Sequence, residues 1–333
     1  MHIELPNITR EWTDKIFQLV PAEFEEMALQ IFLYQYHNNK IYGQYANAVG
    51  KSPENVRALT DIPFLPISFF KTHKVTSTEF EAEVIFESSG TTQTINSRHY
   101  VKDLQLYQQS FTKAFEQFYG NIADYCMIGL LPSYLERQHS SLVVMANALM
   151  RQSNHADSGF YLYDHEKLLA VLQRAEQQHQ KTLFMGVTFA LLDFAEKHSL
   201  RLRHTIVMET GGMKGRREEW TKQKLHHFLQ QQFGVDTIHS EYGMTELLSQ
   251  AYSKAEGIFN CPAWMKVMLR EDDNPLHLIT HGNGILNIID LANIYSCAFI
   301  ATDDVGKIYS DGSFEVLGRL DTSDLRGCSL MVL

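Results

Sequence analysis

Residues 239–246 read His-Ser-Glu-Tyr-Gly-Met-Thr-Glu, and they overlap the end of a short stretch that we predict to be a strand. The segment joins an aromatic ring, a glycine, a hydroxyl and two carboxylates. A tyrosine ring can stack on a base, a threonine can bind a phosphate oxygen, and a glutamate can hold a metal ion between phosphates. Each of these residues is ordinary alone, since a glutamate in a turn is usually only solvated. Their order is therefore the informative feature.

The chain that precedes this segment alternates between short apolar runs and longer amphipathic ones, which predicts strands joined by helices. The predicted strands are residues 83–87, 126–131, 182–185, 205–209 and 237–240. The predicted helices are residues 102–119, 140–151, 165–179, 188–198 and 216–233. We therefore expect an α/β fold for this part of the chain.

The two ends of the chain have a different character. Up to about Pro63 the apolar residues follow helical spacing, as Phe24, Met27, Ala28 and Ile31 do. After Pro262 the helical periods disappear, and Gly, Asn and Asp turns separate the β-rich stretches 264–269, 285–290, 298–302 and 306–317. We expect one continuous unit in three parts: a helical segment 1–62 packed on the body, an α/β core 63–260, and a β-rich part 261–333 with a short C-terminal tail.

Composition indicates a globular protein and argues against some classes of function. The chain has 333 residues, 44% of them hydrophobic and 20% charged, as in ordinary globular proteins. Its net charge of −10 argues against nucleic-acid binding, which needs many cations against phosphates. The four cysteines, Cys126, Cys261, Cys297 and Cys328, form no C-x-x-C pair, so we expect reduced thiols. The sequence predicts neither a signal peptide nor a membrane span, and hence a cytoplasmic protein.

Residues 87–94, Glu-Ser-Ser-Gly-Thr-Thr-Gln-Thr, form a hydroxyl-rich loop between a predicted strand and a predicted helix. Backbone N–H groups and the hydroxyls of such a loop can bind a phosphate. The loop lacks the G-K-[ST] ending of a Walker motif. By itself it is more typical of a hydroxyl-rich surface turn.

Three further segments could line a ligand site. Residues 209–212, Glu-Thr-Gly-Gly, end a predicted strand, and paired glycines let a flat ring approach the backbone. Residues 302–304, Thr-Asp-Asp, and 318–321, Gly-Arg-Leu-Asp, offer carboxylates for ribose hydroxyls and an arginine for phosphate. The alternative for each is an ordinary tight turn.

In this order, the segments resemble the core motifs of the adenylate-forming superfamily of acyl-CoA synthetases, adenylation domains and luciferases. The resemblance runs from about Phe64 to the C-terminus. The strings Ser-Arg-His at 97–99, Leu-Pro-Ser-Tyr-Leu-Glu-Arg-Gln-His-Ser-Ser-Leu at 131–142 and Arg-Gly-Cys-Ser-Leu-Met at 326–331 look most like the acyl-protein synthetase of the bacterial fatty-acid reductase complex. The resemblance implies an adenylate-forming N-terminal-domain fold, with mixed sheets flanked by helices and a β-rich final part.

The resemblance also implies the site residues, with ATP and Mg²⁺ as cofactors. The phosphate-binding loop would be Ser88, Ser89, Gly90, Thr91 and Thr92. Tyr242 and Gly243 would face the adenine, and Gly211 and Gly212 would line the adenine slot. Thr245 would contact phosphate, and Glu246 would bind Mg²⁺. Asp304 and Arg319 would hold the ribose, and Asp321 would be a hinge.

The sequence departs from the family pattern at two places. Residues 93–95 read Gln-Thr-Ile where many relatives have a glycine and then a lysine, so we expect Arg98 or Lys102 to supply the cation. The chain stops at Leu333, which implies that the usual C-terminal domain and its catalytic lysine are absent.

The family passes the acyl group to a cysteine near the C-terminus, and Cys328 occupies that place. Arg326 and Arg319 are close in sequence and would lower the pKa of such a thiol. The alternative is a small buried side chain in a final strand, 329–333.

We therefore expect an AMP-forming acid–thiol ligase that activates a carboxylic acid and transfers the acyl group to Cys328. The resemblance to the family implies that the acid is a fatty acid. Leu131, Tyr134, Phe184 and Met185 are candidates for the acyl pocket. The acceptor would be a protein or CoA. Two alternatives stay open: a ligase or acyltransferase that uses an external thiol, and a nucleotide-binding relative without catalysis.

Overall fold

The computed structural model describes residues 10–88, 95–132, 137–211, 220–272 and 274–320. Within these ranges the strands form a large mixed sheet of thirteen strands and a separate antiparallel pair. The expected α/β class is confirmed. No helix in the same ranges has the length and apolar character that crossing a membrane requires.

The helices of the described residues begin at polar capping residues in several cases. Asp103 accepts a hydrogen bond from the Gln105 N–H at 2.8 Å, and Thr221 caps the last helix in the same way. The α-helices are α1 (Arg10–Ile16), α2 (Phe24–Asn38), α3 (Lys40–Ala48), α4 (Phe69–Thr72), α5 (Leu104–Tyr119), α6 (Ser141–Ser153), α7 (His165–Gln177), α8 (Thr188–Ala195) and α9 (Lys222–Phe233).

The strands are β1 (Leu65–Pro66), β2 (Val84–Glu87), β3 (Arg98–Val101), β4 (Cys126–Leu130), β5 (Gly159–Phe160), β6 (Thr182–Val187), β7 (Thr205–Thr210), β8 (His239–Tyr242), β9 (Ala251–Ser253), β10 (Ile258–Asn260), β11 (Met265–Arg270), β12 (Leu278–Ile279), β13 (Gly282–Asp290), β14 (Phe299–Ile308) and β15 (Phe314–Arg319). The large sheet has the order β12-β11-β13-β14-β15-β10-β9-β8-β7-β6-β4-β5, with β1 beside β14. Strands β5, β4, β6, β7 and β8 are parallel. From β8 onward each neighbouring pair is antiparallel, in the order β8, β9, β10, β15, β14, β13, β11 and β12.

Helices cover both faces of the parallel half, so β4 and β6 are buried along their whole length. A Cβ on Gly129 of β4 would lie 2.6 Å from Met150 Cε of α6, and one on Gly186 of β6 would lie 2.7 Å from Leu191 Cγ of α8. Gly186 pairs with Leu130, the next residue after Gly129, so the two glycines point to opposite faces. Glycine at each place lets a helix pack directly on the sheet.

The N-terminal helices are bonded to the β-rich part of the chain. The buried Gln35 side chain donates to the carbonyls of Asn293 and Ile294 at 3.1 and 2.9 Å, and it accepts from the Ala298 N–H at 2.9 Å. The Tyr42 ring stacks on Phe299 with 5.8 Å between ring centroids. These contacts fix α2 and α3 beside the connection between β13 and β14.

Several predicted boundaries were wrong in detail. Strand β8 begins at His239 and includes Tyr242, because its ladders with β7 and β9 extend to that end. The predicted stretch 306–317 is two strands, since Gly312 takes a positive φ of 86° in a turn between β14 and β15. Helix α5 begins after its cap Asp103, and α8 already ends at Ala195. The predicted helix 216–233 starts partly outside the described residues, and α9 begins at Lys222.

Candidate functional site

The carboxyl ends of β6, β7 and β8 meet at one edge of the sheet, as parallel strands must. Thr188 follows β6 there, and its hydroxyl lies 3.1 Å from Glu209 Oε2 and also contacts the Gly211 carbonyl. Gly211 has a positive φ of 73°, which favours glycine at the point where the chain leaves β7. Tyr242 ends β8 at the same edge, so the structure brings two predicted nucleotide-binding residues to neighbouring strand ends.

Tyr242, Asp304 and Arg319 form a connected group. The Tyr242 hydroxyl donates to Asp304 Oδ2 at 2.7 Å, and Arg319 Nε lies 3.6 Å from Asp304 Oδ1. Asp304 and Arg319 face each other across the β14–β15 ladder. The Tyr242 ring packs against Phe259 and Phe314, with centroids 5.8 and 5.6 Å away. Residues predicted from three separate segments thus lie side by side.

The ionisation of this group follows from its surroundings. Burial and the neighbouring Asp304 hold the pKa of Tyr242 well above its usual value, so its hydroxyl remains a donor. Burial also raises the pKa of Asp304, against the hydrogen bond from Tyr242 and the positive charge of Arg319. A carboxylate held in this way can accept further hydrogen bonds from hydroxyl groups of a ligand.

Glu246, the predicted metal ligand, is buried in the turn after β8. Burial raises its pKa, while a hydrogen bond with Ser97 and the positive charges of Arg319 and Lys71 favour the ionised form. A buried carboxylate oxygen is a suitable ligand for Mg²⁺, and a bound cation would offset the cost of burying the charge. Glu246 therefore fits the metal role that the sequence predicted.

The base of the hydroxyl-rich loop is closed by Ser88 and Ser97. The Ser88 N–H donates to the Ser97 carbonyl at 3.1 Å, and the Ser97 N–H donates to Ser88 Oγ at 2.9 Å. Strands β2 and β3 continue the pairing outward from Glu87 and Arg98. Ser97 also contacts Glu246, so the loop base lies beside the predicted metal ligand. Ser89, Gly90, Thr91 and Thr92 lie outside the described residues.

The two cations predicted for the leaving group have other partners. Arg98 Nε lies 3.3 Å from Glu87 Oε1, with the arginine side chain 61% exposed. The Lys102 ammonium lies 4.3 Å from the centre of the Tyr295 ring. The cation that acts on Glu246 from this part of the chain is Lys71 of α4, which the sequence did not single out. The sequence around Lys71 gives little indication of such a role, because Lys71 follows a proline-rich turn and belongs to no motif.

The other predicted residues are placed as follows. A Cβ on Gly243 would lie 2.6 Å from Glu241 Oε1, so a larger residue there would displace that carboxylate. The Thr245 carbonyl accepts a hydrogen bond from His99. Gly212, Tyr134, Asp321 and Cys328 lie outside the described residues. Leu131, Phe184 and Met185 are buried, and Phe184 packs between Phe194 and Phe233 in the helix-covered core.

The three described cysteines are poor nucleophiles. Burial raises the pKa of the Cys126 thiol to about 11 and those of Cys261 and Cys297 to about 12. A thiol with such a pKa carries almost no thiolate at neutral pH. Within the described residues, no cysteine therefore qualifies as an acyl acceptor.

A buried charged cluster surrounds Glu209 of β7, and most of its members had no predicted role. Glu209 Oε1 lies 3.3 Å from Lys222 Nζ, 3.6 Å from His226 Nε2 and 2.6 Å from the Ser240 hydroxyl. Burial opposes the charge on Glu209, but these partners together lower its pKa to about 2. The cluster fixes β7, β8 and α9 relative to one another. Its sequence signal is a single acid at the end of a predicted strand.

His99 and Asn293 are two further residues that sequence reasoning left without a role. His99 contacts the Thr245 carbonyl, and the Asn293 amide donates to the Glu246 carbonyl at 2.7 Å. Burial lowers the pKa of His99 to about 4, so its ring is neutral at pH 7. His99 ends the Ser-Arg-His string at 97–99, but the local sequence gives no role for either residue, because each partner lies far away along the chain.

Solved structures of adenylate-forming ligases are similar to this chain. ATP-bound MatB from Rhodopseudomonas palustris matches with a TM-score of 0.54 and 17% identity, over 83% of this chain and 56% of MatB. An open conformation of 2-hydroxyisobutyryl-CoA ligase in complex with 2-HIB-AMP and CoA matches with a TM-score of 0.63 and 11% identity, over 97% of this chain and 81% of the ligase. At these identities the similarity shows the fold. This chain spans a little over half the length of MatB.

The sequence comparisons give the family. No curated protein matches the sequence significantly. The sequence model of the acyl-protein synthetase family, LuxE, matches residues 20–333, which is nearly the whole chain. The resemblance that the sequence motifs indicated is thereby confirmed. The chain belongs to the acyl-protein synthetase family, LuxE.

Proposed function

We propose that this chain activates a carboxylic acid with ATP as an acyl-adenylate and then transfers the acyl group to a thiol. The observation that carries the proposal is the contact between Tyr242, Asp304 and Arg319 at the sheet edge where Glu246 also lies. Membership of the acyl-protein synthetase family supports the same reaction.

The site residues suit the parts of ATP in turn. The Tyr242 ring and Gly211 would bound the adenine, and Asp304 would accept hydrogen bonds from ribose hydroxyls. Ser88 and the rest of the hydroxyl-rich loop would hold the outer phosphates. Glu246 would bind Mg²⁺, which supplies positive charge to the phosphates.

Both steps of the proposed reaction depend mainly on how the enzyme positions the reacting groups. A carboxylate oxygen of the acid attacks the α-phosphorus of ATP, and the bond to pyrophosphate breaks. A thiolate then attacks the acyl carbon, and AMP leaves with the bonding electrons. Arg319, whose Nε lies 3.6 Å from Asp304 Oδ1, would place a positive charge beside the nucleotide and stabilise its negative charge. We propose Cys328 as the thiol, in keeping with the family, and the raised thiol pKa values of the three described cysteines support that choice.

The finer aspects of the proposal rest on the family. Membership of an acyl-protein synthetase family is compatible with a fatty acid as the substrate, and the buried Glu246 carboxylate supports Mg²⁺ as the metal. The final acceptor would be a partner protein or CoA. A cytoplasmic site of action agrees with the free thiols of Cys126, Cys261 and Cys297.

Acid-dependent exchange of pyrophosphate into ATP tests the activation step. We expect exchange with fatty acids for the wild-type protein, and at least a tenfold loss in Asp304→Asn, because the ribose loses a charged acceptor worth about 1.5–3 kcal/mol. Asp311→Asn is the matched control, since Asp311 is an exposed acid in the turn of the same hairpin. No exchange with any of a panel of fatty and aryl acids would refute acid activation.

Intact mass after incubation with ATP, Mg²⁺ and a mixture of acids tests the transfer step. The wild-type protein should gain the mass of one acyl group, and Cys328→Ser should not. Cys261→Ser should behave like the wild type. If Cys328→Ser still passes the acyl group to CoA or to an external thiol without being acylated itself, the enzyme-bound intermediate is wrong.

A further inference from the structure

The strand that leaves the hydroxyl-rich loop is joined directly to the turn that carries Glu246. His99 lies on that strand, β3, with its ring buried and Nδ1 2.9 Å from the Thr245 carbonyl oxygen. A carbonyl oxygen can only accept, so Nδ1 must carry the hydrogen. Thr245 and His99 are 146 positions apart, and this hydrogen bond connects two separate segments of the predicted phosphate site.

The same turn is also held by the connection between β13 and β14, whose Asn293 side chain contacts His99 as well. Asn293 is fully buried and donates to the Glu246 carbonyl at 2.7 Å. Two consecutive carbonyls, those of Thr245 and Glu246, are thus each fixed by a buried side chain. Asn293 belongs to the scaffold, whereas His99 comes from the loop strand. His99 is therefore, beside Ser97, a contact through which the loop base and the turn set each other's position.

Ser97, the residue before β3, and His99 are both buried against the same turn. Ser97 contacts the Glu246 carboxylate, and His99 contacts the preceding carbonyl. Ser97 is also bonded twice to Ser88 at the loop base. A shift of β3 relative to the turn would alter the loop base and the Glu246 carboxylate together.

We infer that His99 is a positioning residue, which fixes the distance between Ser88 at the base of the hydroxyl-rich loop and Glu246 so that both can serve the phosphates of one nucleotide. The inference rests on the proposed function, because it assumes that the two segments bind ATP. It predicts that His99 matters for the phosphates and the metal. Adenosine depends on Tyr242 and Asp304 instead, and its binding should not need His99.

Two amide substitutions separate the hydrogen bond from the rest of the side chain. The amide of His99→Asn can reach the position of Nδ1 and donate to Thr245, whereas the longer amide of His99→Gln extends toward the Nε2 position and leaves the carbonyl without its donor. Phe70→Leu is the matched packing control, because the Phe70 ring lies edge-on to His99 with centroids 5.9 Å apart.

Calorimetric titration with Mg·ATP and with adenosine, in the absence of any acid, gives the readout. We expect His99→Gln to bind Mg·ATP about tenfold more weakly, a loss of about 1.4 kcal/mol for one hydrogen bond to a fixed carbonyl. Its affinity for adenosine should stay within about twofold of the wild type. His99→Asn and Phe70→Leu should bind both ligands nearly as the wild type does.

Three results would overturn the inference: equal weakening of adenosine and Mg·ATP in His99→Gln, unchanged Mg·ATP binding in that variant, or a wild-type protein that binds no Mg·ATP. If His99→Gln does not fold, His99→Asn must still retain Mg·ATP binding where His99→Leu loses it. Failure of the proposed function looks different, since Mg·ATP would bind but no acid would support pyrophosphate exchange.

Discussion

Glu209 and Glu241 are buried on neighbouring strands and point to opposite faces of the sheet. Burial disfavours the charge on both. Lys222 and His226 approach Glu209 and, with Ser240, lower its pKa to about 2, whereas burial raises the pKa of Glu241 to about 7. The negative charge of Glu209 adds to the shift of Glu241. The same residue type thus stays ionised at one position and is half protonated near neutral pH at the other.

Glu241 should make the protein less stable as the pH rises. The folded state keeps its proton up to about pH 7, while an unfolded glutamate loses it near pH 4.5. Between these values the folded state binds more protons, so raising the pH lowers the free energy of unfolding. Glu241→Gln cannot ionise, and at pH 8 it should be more stable than the wild type by up to roughly 3 kcal/mol.

Urea denaturation at pH 5 and pH 8 checks this prediction. The difference between Glu241→Gln and wild type should be small at pH 5 and large at pH 8. Glu116→Gln, a substitution of an exposed glutamate on α5, should show no such change between the two pH values. A Glu241→Gln protein that is equally destabilised at both pH values would show that the carboxylate is needed in its ionised form.

At the scale of elements, the close packing of helices on the sheet depends on two glycines. Gly186 leaves room for Leu191 of α8, and Gly129 leaves room for Met150 of α6. Helix α8 begins at Thr188, which bonds the ends of β6 and β7 at the site. The packing of α8 therefore affects the position of the strand ends that would receive the nucleotide.

Gly186→Ala should destabilise the protein by about 1–3 kcal/mol, because the added Cβ would lie 2.7 Å from Leu191 Cγ and 3.1 Å from Leu130 Cβ. Thermal unfolding measures the effect. Gly159→Ala is the control in the same sheet, since its nearest contact is 3.8 Å from the new Cβ. An equal change in both variants would show that the loss of a strand glycine, and not the contact with α8, causes the effect.

The hairpin of β14 and β15 shows how an element can assemble a site. The pairing register of the two strands shifts between Val305 and Gly306. On the side of that irregularity away from the hairpin turn, Asp304 pairs with Arg319. The turn at Gly312 returns the chain so that the two charged residues face each other across the hairpin. Tyr242 reaches Asp304 from the parallel half of the same sheet.

At the scale of the whole molecule, Gln35 links the N-terminal helices to the β-rich part. We predict that Gln35→Ala lowers the free energy of unfolding by roughly 2–5 kcal/mol, because two carbonyls and an N–H group lose their partner in a buried place. We also expect a single unfolding transition, as one continuous unit requires. Gln30→Ala on the same helix removes only an exposed bond and is the control.

Urea denaturation followed by tyrosine fluorescence and by far-UV circular dichroism checks this prediction. The two signals should coincide for Gln35→Ala and shift together to lower urea. Two separate transitions in the variant would instead show that the helical segment 1–62 unfolds independently of the sheet.

The order of secondary structure in the parallel half could be predicted from the sequence, because apolar runs and amphipathic periods are local features. The strands β4, β6 and β7 begin at Cys126, Thr182 and Thr205, where the prediction placed them. The arrangement of the remaining strands could not be predicted. Strand β1 pairs with β14 across more than two hundred residues, and no local pattern encodes that choice.

The sequence by itself determined the α/β class, the polar strand ends and the motif residues Tyr242, Glu246, Asp304 and Arg319, since each depends on residue type and local spacing. Only the tertiary structure decided which of them touch. The Tyr242–Asp304 and His99–Thr245 hydrogen bonds span 62 and 146 positions. It also decided that Arg98 lies beside Glu87 and that Lys102 lies over the Tyr295 ring. Such contacts depend on how the whole sheet is assembled, because burial and charge act through space and not along the chain.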